Sequence, residues 1–248
     1  SEFSRCCNDE MNKIWLSGYF FNRTGAVMLL KGKHIVITGA AGALGESATR
    51  IATSHGAIVS ELDINFSGKT KNRHKVDLKD EESVKKCIES LDSVDALFNI
   101  AGGFLMGSSV IDTSDADWQA MRTINFTTML NVTRAVLPGM LRRQAGAIVN
   151  VGAYSALSGQ SQMGAYVSAK ASVMKMTESL ALEARDFDVN INAVLPSIID
   201  TPINRSDMPD ADYSKWVQPD DLSQTMCFLA SDNARAINGA LVPVVAKS

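Results

Sequence analysis

Two side chains in the second half of this 248-residue chain, Tyr166 and Lys170, have the types and spacing for proton chemistry. They lie four apart in a stretch, about Gly164 to Phe187, whose pattern predicts a helix, so they sit one turn above each other on one face. A lysine cation close to a phenol favours the phenolate and lowers the tyrosine pKa from about 10. The phenol then becomes a proton donor usable near neutral pH. The same spacing occurs on many helices for packing reasons alone. Its meaning therefore depends on what the rest of the chain brings beside it.

Thr38-Gly39-Ala40-Ala41-Gly42-Ala43-Leu44-Gly45 supplies that context. It follows the apolar, β-branched run His34-Ile35-Val36-Ile37, which predicts a buried parallel strand. A helical pattern begins at once, with Leu44, Ala48, Ile51 and Ala52 recurring up to Gly56. The glycines thus occupy a strand-to-helix turn, where missing side chains let a phosphate approach the backbone and the free N–H groups of the helix start. The next strand, Ala57 to Leu62, ends on Asp63, placed to accept hydrogen bonds from a ribose 2′-hydroxyl. This unit predicts dinucleotide binding, against the plain alternative of a tight turn with a surface aspartate. The Lys170 ammonium could then hold the ribose of a nicotinamide nucleotide. Asp63 argues for NADH over NADPH, because a carboxylate repels a 2′-phosphate.

Further strands are expected at Arg73–Val76, Val94–Ile100, Ala147–Val151, Val189–Leu195 and Ala240–Val245. The intervening helices are expected from Asp80 to about Leu91, Ser114 to about Leu137 before Pro138, Gly164 to Phe187, and Pro219 to about Leu229. The Asn65–Arg73 link is too short for a three-turn helix, residues 152–165 read as a Gly/Ser-rich loop, and Ser197 to Trp216 as a polar loop. Strands alternating with helices predict a single-domain, Rossmann-type α/β fold, a doubly wound parallel sheet of about seven strands. Ligands bind such sheets at the carboxyl ends of the strands, so candidate groups should come from the loops after Ile37, Leu62, Ile100, Val151 and Leu195.

Composition narrows the function. A net charge of −3 gives no basic footprint for nucleic acid, and no apolar run approaches the roughly 20 residues of a membrane span. Cys6, Cys7, Cys87 and Cys227 show neither metal nor disulfide-framework spacing, which predicts free thiols and a cytoplasmic location. His34, His55 and His74 share no metal spacing, and no metal is expected. Residues 1–27, with the apolar Ile14–Phe21, read as an N-terminal extension, with Ser1-Glu2-Phe3 resembling a cloning remnant; the oxidoreductase domain is expected over 28–248.

Together these residues resemble the short-chain dehydrogenase/reductase family across about residues 32–245. Its glycine motif, Thr-Gly-x-x-x-Gly-x-Gly, is matched by Gly39 and Gly45, while the middle glycine position is Ala43, with Gly42 one earlier. The resemblance implies nucleotide contacts at Gly39, Ala41, Gly42, Ala43, Leu44, Gly45, Asp63, and the adenine-side pair Asp77 and Leu78. It implies further contacts at Asn99, Ala101 and Gly102, within Asn99-Ile100-Ala101-Gly102, and at Tyr166, Lys170, Pro196 and Thr201. It also implies that Asn125, in Ile124-Asn125-Phe126-Thr127, is a catalytic residue with Tyr166 and Lys170, holding a proton-relay water. The family's catalytic serine, thirteen residues before the tyrosine, is replaced by Ala153; Ser155 and Ser158 lie nearby. An alanine cannot hydrogen-bond a substrate carbonyl or alkoxide.

The loops are similar to those of quinonoid dihydropteridine reductases: Gly152-Ala153, the short 65–73 link, Ala101-Gly102-Gly103-Phe104, Ala193–Pro196, Asp200–Arg205, Met208–Asp212 and Trp216. Those enzymes use NADH and the Tyr/Lys pair without the serine, because a conjugated quinonoid does not demand the same alkoxide stabilisation. The resemblance implies a small-molecule substrate of this type, with two alternatives: a carbonyl or alcohol dehydrogenase with a displaced serine, or a weakly catalytic nucleotide-binding regulator. Phe104 and Trp216 flank the expected cleft, either stacking a planar ring or simply packing. Met163, Met174 and Met176 read as core or interface filler. The family resemblance implies that the long helices over 114–137 and 164–187 form the contacts of a homodimer or homotetramer.

Overall fold

The run His34–Thr38 is buried over its last four residues and forms strand β1. The computed structural model describes residues 28–66 and 70–248, so the extension through residue 27 and Gly68 lie outside the described residues. Six more strands follow: β2 (Ile58–Asp63), β3 (Arg73–Lys75), β4 (Ala96–Asn99), β5 (Gly146–Val151), β6 (Val189–Pro196) and β7 (Leu241–Val244). They form one sheet in the order β3-β2-β1-β4-β5-β6-β7, every neighbouring pair parallel. The chain runs outward from β1 to β3 and then crosses back to lay β4 on the other side of β1, and in open α/β sheets ligands bind at the carboxyl ends of the strands flanking such a switch point.

Alternation along β1 separates two cores. Ile35 and Ile37 point to the face covered by α1 (Ala43–Ser54) and α7 (Pro219–Leu229). Val36 points to the other face, against α2 (Glu81–Glu89), α4 (Thr128–Arg143) and α5 (Gly164–Ala184). The helix starts follow local rules: Asp80 accepts the Glu82 and Ser83 N–H groups, and Ser114 accepts that of Asp117. Among the described residues, no helix is long and apolar enough to cross a membrane.

Three expectations need correction. The helix expected over 114–137 is α3 (Asp115–Arg122), a π-helical turn (Thr123–Thr127) and then α4, which runs through Pro138 to Arg143. Proline leaves unpaired the carbonyl four residues back, at exposed Arg134, where water can take it, while the buried stripe Val132, Val136, Met140 continues past it. The helix expected to reach Phe187 ends at Ala184; a 3-10 turn (Arg185–Phe187) follows, and Asp188 breaks it with a φ of +53°. The loop from Ser197 to Trp216 contains a helix, α6 (Pro202–Asp207), capped by Thr201 with proline in its first turn.

Candidate active and nucleotide site

Gly39 ends β1 with a φ of +66°, and a Cβ there would lie 2.9 Å from the Ala101 backbone. A Cβ at Gly45 would overlap the Gly39 carbonyl. These two glycines let the turn, the first helix and the β4 loop close on one another. Gly42 is different: it is exposed, caps α1 without any side-chain hydrogen bond, and a Cβ there would meet only the Gly39 carbonyl, at 3.4 Å. The first N–H groups of α1 (Ala43, Leu44, Gly45) therefore have no side-chain acceptor at the cap, the arrangement that suits a phosphate. With Ala43 as the first helical residue, the side-chain-free position is the cap itself.

The Asp63 carboxylate stands against this turn. It is 8% exposed; Oδ2 accepts the Ala41 N–H at 3.1 Å and Oδ1 the Asn65 N–H at 2.8 Å. Asp77 accepts the Lys79 N–H at 3.0 Å, and the carbonyl of buried Leu78 accepts from Asn131 Nδ2 at 3.0 Å. Thr38 Oγ1 accepts the N–H groups of Ile100 and Ala101, at 3.0 and 3.2 Å. Asn99 Nδ2 donates to Asn150 Oδ1 (2.8 Å) and Thr133 Oγ1 (3.2 Å), and Asn150 Nδ2 donates to Thr177 Oγ1 (2.9 Å). The sequence reading missed Thr38, Asn131, Thr133, Asn150 and Thr177 as supports. The available signal was a polar residue inside an apolar strand, as in Ile148-Val149-Asn150-Val151.

Asn125, Lys170 and Tyr166 converge beside Gly102. A Cβ on Gly102 would lie 2.8 Å from Asn125 Oδ1 and 3.3 Å from Lys170 Nζ. Asn125 sits in the π turn, the kind of local widening that recurs at functional sites, and is 1% exposed. Its amide pairs with the Gly103 peptide in both directions: Nδ2 donates to the carbonyl at 3.0 Å and Oδ1 accepts the N–H at 3.1 Å. Nδ2 also reaches the Met121 carbonyl at 3.1 Å. Lys170 is 5% exposed and donates from Nζ to the Val151 carbonyl at 2.8 Å. Tyr166 lies half-buried on the same helix, one turn earlier, with the Phe104 ring in T-shaped contact at 4.9 Å and 80°.

The electrostatics correct the expectation that Lys170 lowers the Tyr166 pKa. Burial pushes the Tyr166 phenol up to about 12 and the Lys170 ammonium down to about 8. Desolvation by burial accounts for both shifts, and the ammonium is held by a backbone carbonyl.

The remaining candidates are less central. Ala153 is 3% exposed just after β5, ahead of a 3-10 turn (Tyr154–Leu157), and its methyl offers no hydrogen bond. Ser155 is half-buried in that turn, and Ser158 is exposed, accepting from Gln160 Nε2 at 3.2 Å. Trp216 is 5% exposed and packs on Tyr213 at 4.8 Å, a packing role. Pro196 is buried at the end of β6, and Thr201 Oγ1 accepts the Asn204 N–H at 3.2 Å. Asp200 grips Arg205 through two bonds of 2.6 and 2.8 Å and accepts from Gln218; these bonds hold its carboxyl down to about 2.

A family model described as short chain dehydrogenase matches residues 33–212. Meso-2,3-butanediol dehydrogenase of Serratia marcescens is 32% identical over 240 residues, covering 88% of this chain and 94% of that one. The ligand-free structure of the aldohexose dehydrogenase of Thermoplasma acidophilum superposes with a TM-score of 0.80 at 26% identity, covering 88% and 94% of the two chains. The structure titled ElxO with NADP bound shares the fold at a TM-score of 0.78 and 24% identity, covering 86% and 97%.

Proposed function

Because the chain belongs to the short-chain dehydrogenase family and so is an NAD(P)-dependent oxidoreductase, we propose that it reduces a conjugated, quinonoid small molecule of dihydropteridine type with NADH. The single observation carrying the substrate class is Ala153. Where a hydroxyl would steady a developing alkoxide, the site offers a buried methyl. A conjugated acceptor spreads the incoming electron pair over its π system and leans less on that hydroxyl.

The glycine turn and the bare cap at Gly42 are the residues to hold the pyrophosphate, with Asp63 at the adenine-side ribose and Leu78 beside the adenine. The nucleotide, when bound, supplies the hydride. Tyr166 gives the accompanying proton, so the substrate gains one hydride and one proton. Lys170 supports the phenol and a ribose hydroxyl; Asn125, fixed by Gly103 and Met121, shapes the place of a relay water. The Asp63 carboxylate is what supports NADH here, because a carboxylate repels a 2′-phosphate.

The second reading, a carbonyl or alcohol dehydrogenase, is favoured by the butanediol and aldohexose dehydrogenases among the relatives. NADH consumption measured with quinonoid dihydropteridine beside a panel of ketones separates the two. Turnover of the pteridine supports the first reading; turnover of ketones alone sinks it in favour of the second.

A further inference from the structure

A large aromatic ring half in water costs free energy unless something covers it in the working state. Phe104 is 53% exposed, yet one side of it already rests on Tyr166 in T-shaped contact at 4.9 Å. Any group that takes the Tyr166 proton must come within hydrogen-bond reach of that phenol, and so alongside Phe104. The flanking side chains are also apolar and open: Leu105 is 36% exposed and Met106 56%. The neighbouring loop adds Tyr154 at 44% and Leu157 at 53%. The two loops leave the sheet side by side, because β4 and β5 pair with Asn99 opposite Asn150.

The charge pattern of these loops matters as much. From Ala96 to Ile111 and from Gln144 to Ala169 the sequence contains no aspartate, glutamate, lysine or arginine. These two loops offer a charged substrate no counter-ion, and the nearby Lys170 ammonium is buried and already held by the Val151 carbonyl, so a charge here would lose hydration with little return. A neutral, flat ring loses little and gains an aromatic partner. We propose that Phe104 is a specificity-determining residue whose open face stacks an uncharged, planar, conjugated ring with its reacting edge toward the Tyr166 hydroxyl. This rests on the reductase reading above and narrows it to neutral substrates.

The test is calorimetric binding of 2-methyl-1,4-naphthoquinone to the full chain loaded with NAD+, which gives no turnover to confuse the reading. Phe104→Leu keeps apolar volume but removes the aromatic face. It should weaken the quinone about three- to tenfold, the range of a single aromatic pair. Phe104→Tyr should restore it. In the unmodified chain 1,4-naphthoquinone-2-sulfonate should bind more weakly than the neutral quinone. Equal affinity in the unmodified and Phe104→Leu chains, or a preference for the sulfonate, overturns the platform. NADH consumption is then followed with the same quinone. If binding depends on Phe104 but no NADH is consumed, the platform stands and the reductase reading falls. If NADH is consumed while binding ignores Phe104, the reductase reading stands and the platform falls.

Discussion

Replacing Lys170 with methionine should abolish turnover and yet leave the nucleotide-free protein about as stable at neutral pH. The lysine is buried, and its pKa falls from 10.5 to about 8. At roughly 1.4 kcal/mol per unit, keeping it charged at pH 7 costs the fold about 3 kcal/mol. Methionine, of similar length, removes that cost. It also leaves the Val151 carbonyl without this donor, and a buried acceptor left unsatisfied costs about 1–3 kcal/mol, so the two effects nearly cancel. The pH dependence does not cancel. Because the folded-state pKa is depressed, the unfolded chain holds more protons at this site between pH 8 and 10.5, and native stability there rises with pH. The lysine's unfavourable contribution is complete below about pH 8 and fades as pH climbs. From pH 7 to 9.5 the unmodified protein should gain about 2 kcal/mol relative to Lys170→Met. Urea unfolding of both proteins at the two pH values measures this difference directly. A stability gap that stays constant with pH would refute the reasoning, since it would mean that Lys170 titrates normally in the folded chain.

Three further outcomes are expected. Tyr166→Phe should lower turnover by about 10²–10⁴-fold while nucleotide binding, followed by fluorescence titration, persists; undiminished turnover would remove Tyr166 as the proton donor. Ala153→Ser should raise ketone reduction by about tenfold or more, given the few kcal/mol that one well-placed donor contributes; an unchanged rate would show that this position does not face the reacting carbonyl. Gly45→Ala drives a methyl into the Gly39 carbonyl and should lower the thermal midpoint, with an overpacking cost of about 1–3 kcal/mol, and weaken NADH binding; a variant melting at the parental temperature would show that the turn relaxes freely.

Much of this frame could be read along the chain because each signal was local. The β-branched run before Gly39, the helical recurrence of Leu44, Ala48 and Ile51, and the four-residue step from Tyr166 to Lys170 each need only a few neighbouring residues. What stayed hidden depends on partners far away in sequence. The π turn around Asn125 leaves the apolar recurrence on either side undisturbed, so a widened turn reads as continuous helix. The Tyr166 pKa was expected to fall because Lys170 is close in sequence; it rises because burial removes water from the phenol. The helix after Thr201 was missed for a different reason. Its Thr-Pro start signal was present, but six helical residues in a polar stretch carry too little periodicity to stand out.

Four consecutive residues, 101–104, tie the chemistry together. The Ala101 N–H is held by Thr38, which pins the loop to the end of β1 beside the nucleotide turn. Gly102 has no side chain, so Asn125 Oδ1 and Lys170 Nζ can both approach the same point. Gly103 presents its peptide to the Asn125 amide in both directions, fixing the residue that the π turn swings inward. Phe104 then lies against Tyr166. A strand end, a widened turn and a long helix from three separate parts of the chain are thus referred to one short segment after β4. Misplacing that segment would displace the lysine, the asparagine and the tyrosine together. The precision of the site is therefore set by the β4 loop, and the Tyr166–Lys170 spacing on its helix is only half of the specification.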